Sequence, residues 1–186
     1  MPIEPLPVEP VILVCAITAD AESTLAQVRT SLSRCFGSID RQTPVYPFTY
    51  TRYYTPEMGA GLIKQVLSFA GRLDPAELPG IKRQTMRIEK EMSSAEAGVF
   101  RRRANCDPGL VSIESLVLAT TKYSGHRICI APALYAEVTL LFRKGRYTPL
   151  EWTYPDYRSE PVQRFLLELR AELIIERRIR KSTDSP

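Results

Sequence analysis

The sequence predicts an α+β domain: a mixed, mainly antiparallel sheet with helices packed on one face, opening with a strand–helix–strand unit. Three observations carry that prediction. Residues 11–17 (VILVCAI) form a nearly continuous apolar run, the pattern of a buried strand, and the chain then changes to helical spacing. Residues 135–143 alternate between apolar and polar side chains and lead into Lys144-Gly145, which suits a tight hairpin turn. Apolar residues recur at helical spacing once more after Glu160-Pro161.

Taken in order, Pro2, Pro5, Pro7 and Pro10 make residues 1–10 a flexible, Pro-rich tail. After the first strand, Thr18, Asp20 and Ser23 offer helix caps. Leu25, Val28, Leu32, Cys35 and Phe36 follow the helical period, and Gly37 ends that helix before Ile39 leads into a second strand. Residues 43–54 are rich in Pro, Tyr, Phe and Thr, which favours extended structure, and Pro56-Glu57-Met58-Gly59 reads as a turn. Residues 62–69 fit a short helix or a strand. Asp74-Pro75 is a helix cap with proline at the first helical position. Pro79-Gly80 interrupts, and a longer helix over 81–95 carries the stripe Ile81, Thr85, Ile88 and Met92.

Residues 100–107 are basic and then polar, and Pro108-Gly109 signals a turn before a short strand at 110–113. Residues 114–122 fit either a helix or a strand. A strand over 126–130 is broken by Ala131-Pro132-Ala133. In the hairpin strand, Ala136, Val138, Leu140 and Phe142 are expected on one face, with Tyr135, Glu137, Thr139 and Arg143 on the other. Residues 152–158 form an aromatic loop. The last helix carries Val162, Phe165, Leu166, Leu169, Leu173 and Ile174, and closes on Arg177, Arg178, Arg180 and Lys181, favourable charges at a helix C-terminus. The expected organisation is a single domain over 11–176 with a basic, frayed end at 177–186.

Composition excludes several classes. The 186 residues are 44% hydrophobic and 25% charged, as in an ordinary globular domain. A chain of this length buries about 70% of its unfolded surface and needs no staples. The net charge of +4 is mild and concentrated at the C-terminal end, without the dense basic stripe of a dedicated nucleic-acid binder. Cys15, Cys35, Cys106 and Cys129 form no C-x-x-C pair, and Cys15 and Cys129 lie in apolar runs as small buried hydrophobes. No apolar run approaches the ~20 residues of a membrane span, and the acidic, Pro-rich start is unlike a secretory signal, so a cytoplasmic protein without membrane contact is expected.

Several blocks carry a resemblance. They include Pro47-Phe48-Thr49, Tyr53-Tyr54, Glu57-Met58-Gly59, Ile81-Lys82 with Thr85 and Glu89, and Asn105 with Asp107-Pro108-Gly109. The strongest are residues 116–122 (LVLATTK), His126-Arg127-Ile128, residues 135–140 (YAEVTL) and residues 152–158 (WTYPDYR). Together these resemble the bacterial family catalogued as domain of unknown function 4416, from Val11 to about Arg170. This chain has Ala131-Pro132-Ala133 where the family usually has a Gly-Asp-Gly-like turn. The family brings no established activity, so the resemblance supplies identity and little mechanism. Residues 59–64 only echo a phosphate loop, because the G-x-x-x-x-G-K-[ST] pattern is not met.

The residues themselves nominate a site. His126 is the single histidine, and its chemistry suits proton transfer provided a partner stands beside it. Glu137 interrupts an apolar strand. On a buried face its carboxylate needs a partner or a ligand, and on a wet face it needs neither. If the two strands pair as neighbours, His126 and Glu137 approach to ~5 Å. Thr120, Thr121, Lys122, Arg127 and Arg143, with Tyr135 and Asp107, add hydroxyls and charges suited to a phosphate or carboxylate, or else form ordinary surface charge. Metal binding by Asp107 with Glu89 or Glu137 lacks ligands, so no metal is expected. The aromatics of residues 46–54 and 152–157 either stack bases or form a small core with the interleaved prolines.

Two functions follow as expectations. The first is a protein that binds or acts on a small phosphorylated or anionic ligand, nucleotide-like, through the His/Glu/Lys/Arg cluster. The second is a non-catalytic module that binds RNA or another protein through the aromatic loops and the basic C-terminal helix. Reaction, cofactor and oligomeric state are not legible in the sequence.

Overall fold

The computed structural model describes residues 8–96 and 99–183. The order is β1 (Val11–Ala19), α1 (Glu22–Phe36), β2 (Ile39–Gln42), β3 (Tyr46–Pro47), α2 (Thr55–Met58), β4 (Ile63–Leu73), a 3₁₀ turn (Pro75–Glu77), α3 (Leu78–Glu91), β5 (Ser94–Glu96), β6 (Val99–Arg101), β7 (Ala104–Val111), β8 (Ser115–Thr120), β9 (Ile128–Ala131), β10 (Leu134–Arg143), β11 (Arg146–Pro149), a second 3₁₀ turn (Pro155–Arg158) and α4 (Glu160–Thr183).

The main sheet has the order β11-β10-β8-β7-β1-β4-β2, with β3 added to β4 and β9 to β10. Every pairing among the described residues is antiparallel. The chain is therefore α+β as expected, and it opens strand, helix, strand. The opening unit makes no parallel pair, because β4 is inserted between β1 and β2. Likewise β1 separates β4 from β7, so β1-α1-β2 and β4-α3-β7 are two interleaved split β-α-β units. The meander β8-β10-β11 extends this core sheet beyond β7.

Both faces of β1 are buried. Leu13, Cys15 and Ile17 face a core built with α1 and α3, while Ile12, Val14 and Ala16 face a second core with α4. The helices expected on one face thus divide: α1 and α3 take one face, and α4 lies across the other through Val162, Phe165, Leu166, Leu169 and Leu173. The continuous apolar run of β1 is the physical signature of a strand covered on both sides.

Ion pairs pin the C-terminal half of α4. Arg72 bonds Glu172 and Glu176, each at 2.6 Å, and Arg177 and Arg180 meet Glu9 at 3.4 and 3.1 Å. The helix runs to Thr183, so 177–183 are helical where a frayed end was expected. Residues 1–7 of the expected tail, and 184–186, lie outside the described residues. Among those described, no helix is long and apolar enough to cross a membrane.

Local rules were overridden at several points. Pro79 sits in the first turn of α3, where its missing N–H costs nothing, so it starts the helix instead of interrupting it. Ala21, not Thr18, Asp20 or Ser23, occupies the N-cap of α1. Cys129 is exposed on β9 rather than buried. Pro108-Gly109 is no turn: β7 runs straight through it, opposite Cys15 and Val14 of β1. Gly109 is required there because a Cβ would stand 2.5 Å from Leu118 Cδ2 and 2.7 Å from the Val117 carbonyl oxygen. Gly109→Ala is expected to cost about 1–3 kcal/mol in urea unfolding through overpacking. Gly71→Ala on β4 meets nothing within 4 Å and should stay within about 0.5 kcal/mol.

The hairpin β10-β11 turns at Lys144-Gly145 as expected, both with positive φ (49° and 82°). Its facing is different. A bulge between Val138 and Leu140 inserts Thr139 and switches the alternation. Glu137 pairs with Leu118, so it shares the α4 face with Leu140 and Phe142, while Ala136 packs towards the other core.

Candidate active cleft

β7 and β8 pair only from Gly109–Leu118 to Val111–Leu116. Beyond Gly109 the two strands part, leaving one edge of β7 without a strand partner. Pro108 is tolerated there because it has no N–H to leave unpaired. The backbone of Cys106 is satisfied instead by α3: its N–H donates to Glu89 Oε1 at 2.8 Å, and its carbonyl accepts from Lys82 Nζ at 2.9 Å. Lys82 and Glu89, two helical turns apart on one face of α3, therefore reach the open sheet edge.

The gap is a cleft of about 420 Å³. On its α3–β7 side, Arg102 Nη2 donates to Glu89 Oε2 at 2.6 Å and also bonds Asn105 Oδ1. Asn105 Nδ2 donates to Asp107 Oδ2 at 2.7 Å, and Asp107 Oδ1 stands 4.0 Å from Lys82 Nζ. On the β8–β10 side, Glu137 is 3% exposed. Its Oε2 accepts from Arg127 Nε at 2.8 Å and lies 3.0 Å from His126 Nε2, and its Oε1 accepts from Thr139 Oγ1 at 3.3 Å. On the α4 side, Lys64 Nζ bonds Asp156 Oδ2 at 2.5 Å, with both side chains at most 4% exposed. The Phe48 and Tyr157 rings each lie 4.9 Å from that ammonium.

Burial pushes the Glu89 carboxyl above the ordinary carboxylate value, against the pull of Lys82, Arg102 and the Cys106 N–H. The Tyr54 phenol is also raised, by burial and then by Asp107, and stays a neutral donor. A carboxyl raised in the folded state contributes stability that is complete below its unfolded pKa and is lost as pH rises through the folded one. Glu89→Gln removes that pH-dependent loss. Its stability relative to wild type is expected to improve as pH rises from the ordinary value of 4.5 towards neutrality, read from paired urea titrations at each pH. A difference that is flat with pH contradicts it.

Of the residues nominated from sequence, Asp107, Thr120, Thr121, Lys122, Arg127 and Glu137 line the cleft. His126 lies outside its lining and touches Glu137 from behind, stacked on Trp152 at 4.5 Å with Ser124 Oγ 3.1 Å from Nδ1. Tyr135 packs edge-on against Tyr123 and does not line the cleft. Arg143 is exposed at the hairpin end, six residues and about 20 Å of strand from Glu137. Sequence reasoning missed Lys64, Lys82 and Asp156. Lys64 interrupts an apolar strand much as Glu137 does, and Lys82 sits in the buried stripe of α3, so a signal existed for both. Asp156, inside an aromatic loop, offered none.

The family model for the domain of unknown function DUF4416 matches residues 9–173. The chain belongs to this family. Within the DUF4416 match lie all of the cleft residues named above and the whole interleaved sheet. No curated protein and no solved structure matches the chain. Among the described residues no three His, Cys, Asp or Glu side chains are grouped as metal ligands.

Proposed function

We propose that the DUF4416 cleft binds, and serves as the site of action on, a small anionic or phosphorylated ligand. One observation carries this reading: five cations and four carboxylates line a single cleft, and Lys64, Lys82, Glu137 and Asp156 among them are each no more than 5% exposed. Burying charge is costly, and such clusters concentrate at functional sites. Three cations are closely paired, Lys64 with Asp156, Arg102 with Glu89 and Arg127 with Glu137. Lys82 is loosely paired, and Lys122 has no carboxylate partner among the described residues. The surplus is positive and suits an oxyanion. In this reading Glu137 is the group that exchanges a proton with the ligand, and His126 positions it.

A second reading, an RNA- or protein-binding module, is favoured by exposed aromatics near the cleft mouth, Tyr53 at 56% and Tyr154 at 46%. Its basic C-terminal helix is weaker support, because Arg177 and Arg180 already face Glu9.

A thermal-shift screen of sugar phosphates, nucleotides and carboxylates, run beside Glu137→Gln, tests the first reading. A ligand at a hundred times its Kd adds about 2.7 kcal/mol. The expected result is a small anion that stabilises wild type and fails on the variant. A salt-sensitive shift from single-stranded RNA, with none from small anions, favours the second.

A further inference from the structure

We propose that the loop 48–62 is a lid, and that it closes on an oxyanion, phosphate or carboxylate, held between Lys122 and Arg102 beneath the Tyr54 ring. The inference rests on the ligand site proposed above, and it specifies where the charged group binds and which segment responds.

The loop is a unit of its own. Its ends are joined by the Phe48 N–H donating to the Leu62 carbonyl at 2.7 Å. Phe48, Met58 and Leu62 form a small core separate from both sheet cores, with Tyr54 packed on it. A compact surface loop with adjoining ends and internal packing is an Ω-loop, a frequent carrier of function. Gly59 and Gly61, with φ of +84° and +74°, supply the left-handed backbone at its exit.

Cations fasten this unit to the opposite walls of the cleft. Lys122 Nζ lies 3.8 Å from the Tyr53 ring centroid and 5.9 Å from that of Tyr54, while the Arg102 guanidinium lies 5.8 Å from Tyr54. These are exchangeable contacts at a partly exposed rim. Two cations therefore converge on one ring. Arg102 commits Nε to the Ala104 carbonyl and Nη2 to Glu89 and Asn105. Its Nη1 has Glu57 at 3.6 Å, beyond a hydrogen bond. The Lys122 ammonium has the aromatic faces and no carboxylate among the described residues. Donors are thus left over on both cations beside Tyr54. An oxyanion takes these donors with two of its acceptor oxygens and draws both cations to the ring, which holds the lid down.

Arg52, exposed within the loop, makes the test direct. Trypsin cleavage after Arg52 is followed by mass spectrometry in inorganic phosphate and in chloride at matched ionic strength, with Tm measured alongside. Phosphate is expected to slow this cleavage about tenfold, because cleavage tracks the open population. Lys122→Met, a surface change, should keep its Tm in chloride and lose the protection. Tyr53→Leu should be cut faster in chloride while still gaining Tm from phosphate. A phosphate-dependent rise in Tm with cleavage unchanged or faster overturns the lid and leaves the ligand site standing. No response to phosphate, while another anion in the screen stabilises the protein through Glu137, overturns the subsite alone. No response to any anion overturns both.

Discussion

Asp156→Ala is expected to destabilise the protein by about 3–5 kcal/mol, because it leaves unpaired the ammonium of Lys64, a residue only 3% exposed. Lys64 points from β4 onto the α4 face of the sheet, with its side chain 4% exposed. Its neighbours there are the rings of Phe48 and Tyr157 and the Asp156 carboxylate. The rings solvate a cation weakly compared with a carboxylate at 2.5 Å. Deleting Asp156 leaves the lysine two outcomes, to lose its proton or to pull β4 and the Pro155–Arg158 turn apart. Asp156→Asn keeps an acceptor in place and should cost less than Asp156→Ala. Urea unfolding of the two variants against wild type reads the difference. A loss below about 1 kcal/mol for Asp156→Ala means that Lys64 reaches solvent and the pair is not buried in the folded protein.

Glu137→Ala should cost about 3 kcal/mol, the low end for a broken buried pair, since its partner Arg127 retains 10% exposure. One carboxylate here serves Arg127, His126 and Thr139 together. Arg127 also donates to the Lys122 carbonyl at 2.9 Å, so Glu137 orders the whole connection 121–127 between β8 and β9. Faster hydrogen exchange throughout 121–127 is the specific expectation. Exchange that changes only at residue 137 contradicts a shared anchor.

These charges were unevenly legible in the sequence. Glu137 stood out because a carboxylate between Ala136 and Val138 breaks an apolar strand, and the expected neighbourhood with His126 is the one that forms, at 3.0 Å. The face it occupies was not legible. The Thr139 bulge is a tertiary accommodation, and without it the alternation rule places Glu137 opposite Leu140. The same rule drew in Arg143, which lies at the far end of the strand. Pro108-Gly109 misled for a related reason. Local chemistry favours a turn, but an open sheet edge accepts the proline and the close approach of β8 requires the glycine. The Lys64–Asp156 pair spans 92 residues, and no local pattern encodes such a meeting. By contrast, β1, the helical period of α1, its Gly37 stop and the Lys144-Gly145 hairpin are set by neighbours in sequence, and these formed as expected. The helix on the second face had a signal too, in the apolarity of successive β1 residues.

The most direct measurement is the double variant Lys64→Met/Asp156→Leu, assayed for unfolding free energy and for the thermal shift given by whichever anion stabilises wild type. Replacing a buried ion pair by apolar residues of similar size is commonly neutral or stabilising, by about 1–4 kcal/mol. If the cleft keeps this pair for its ligand, the double variant is at least as stable as wild type and its response to the anion is weakened, though not abolished, because Lys82, Lys122 and Arg102 remain. A double variant that loses stability and binds the anion as well as wild type contradicts the account, and makes the buried pair part of the scaffold rather than of the site.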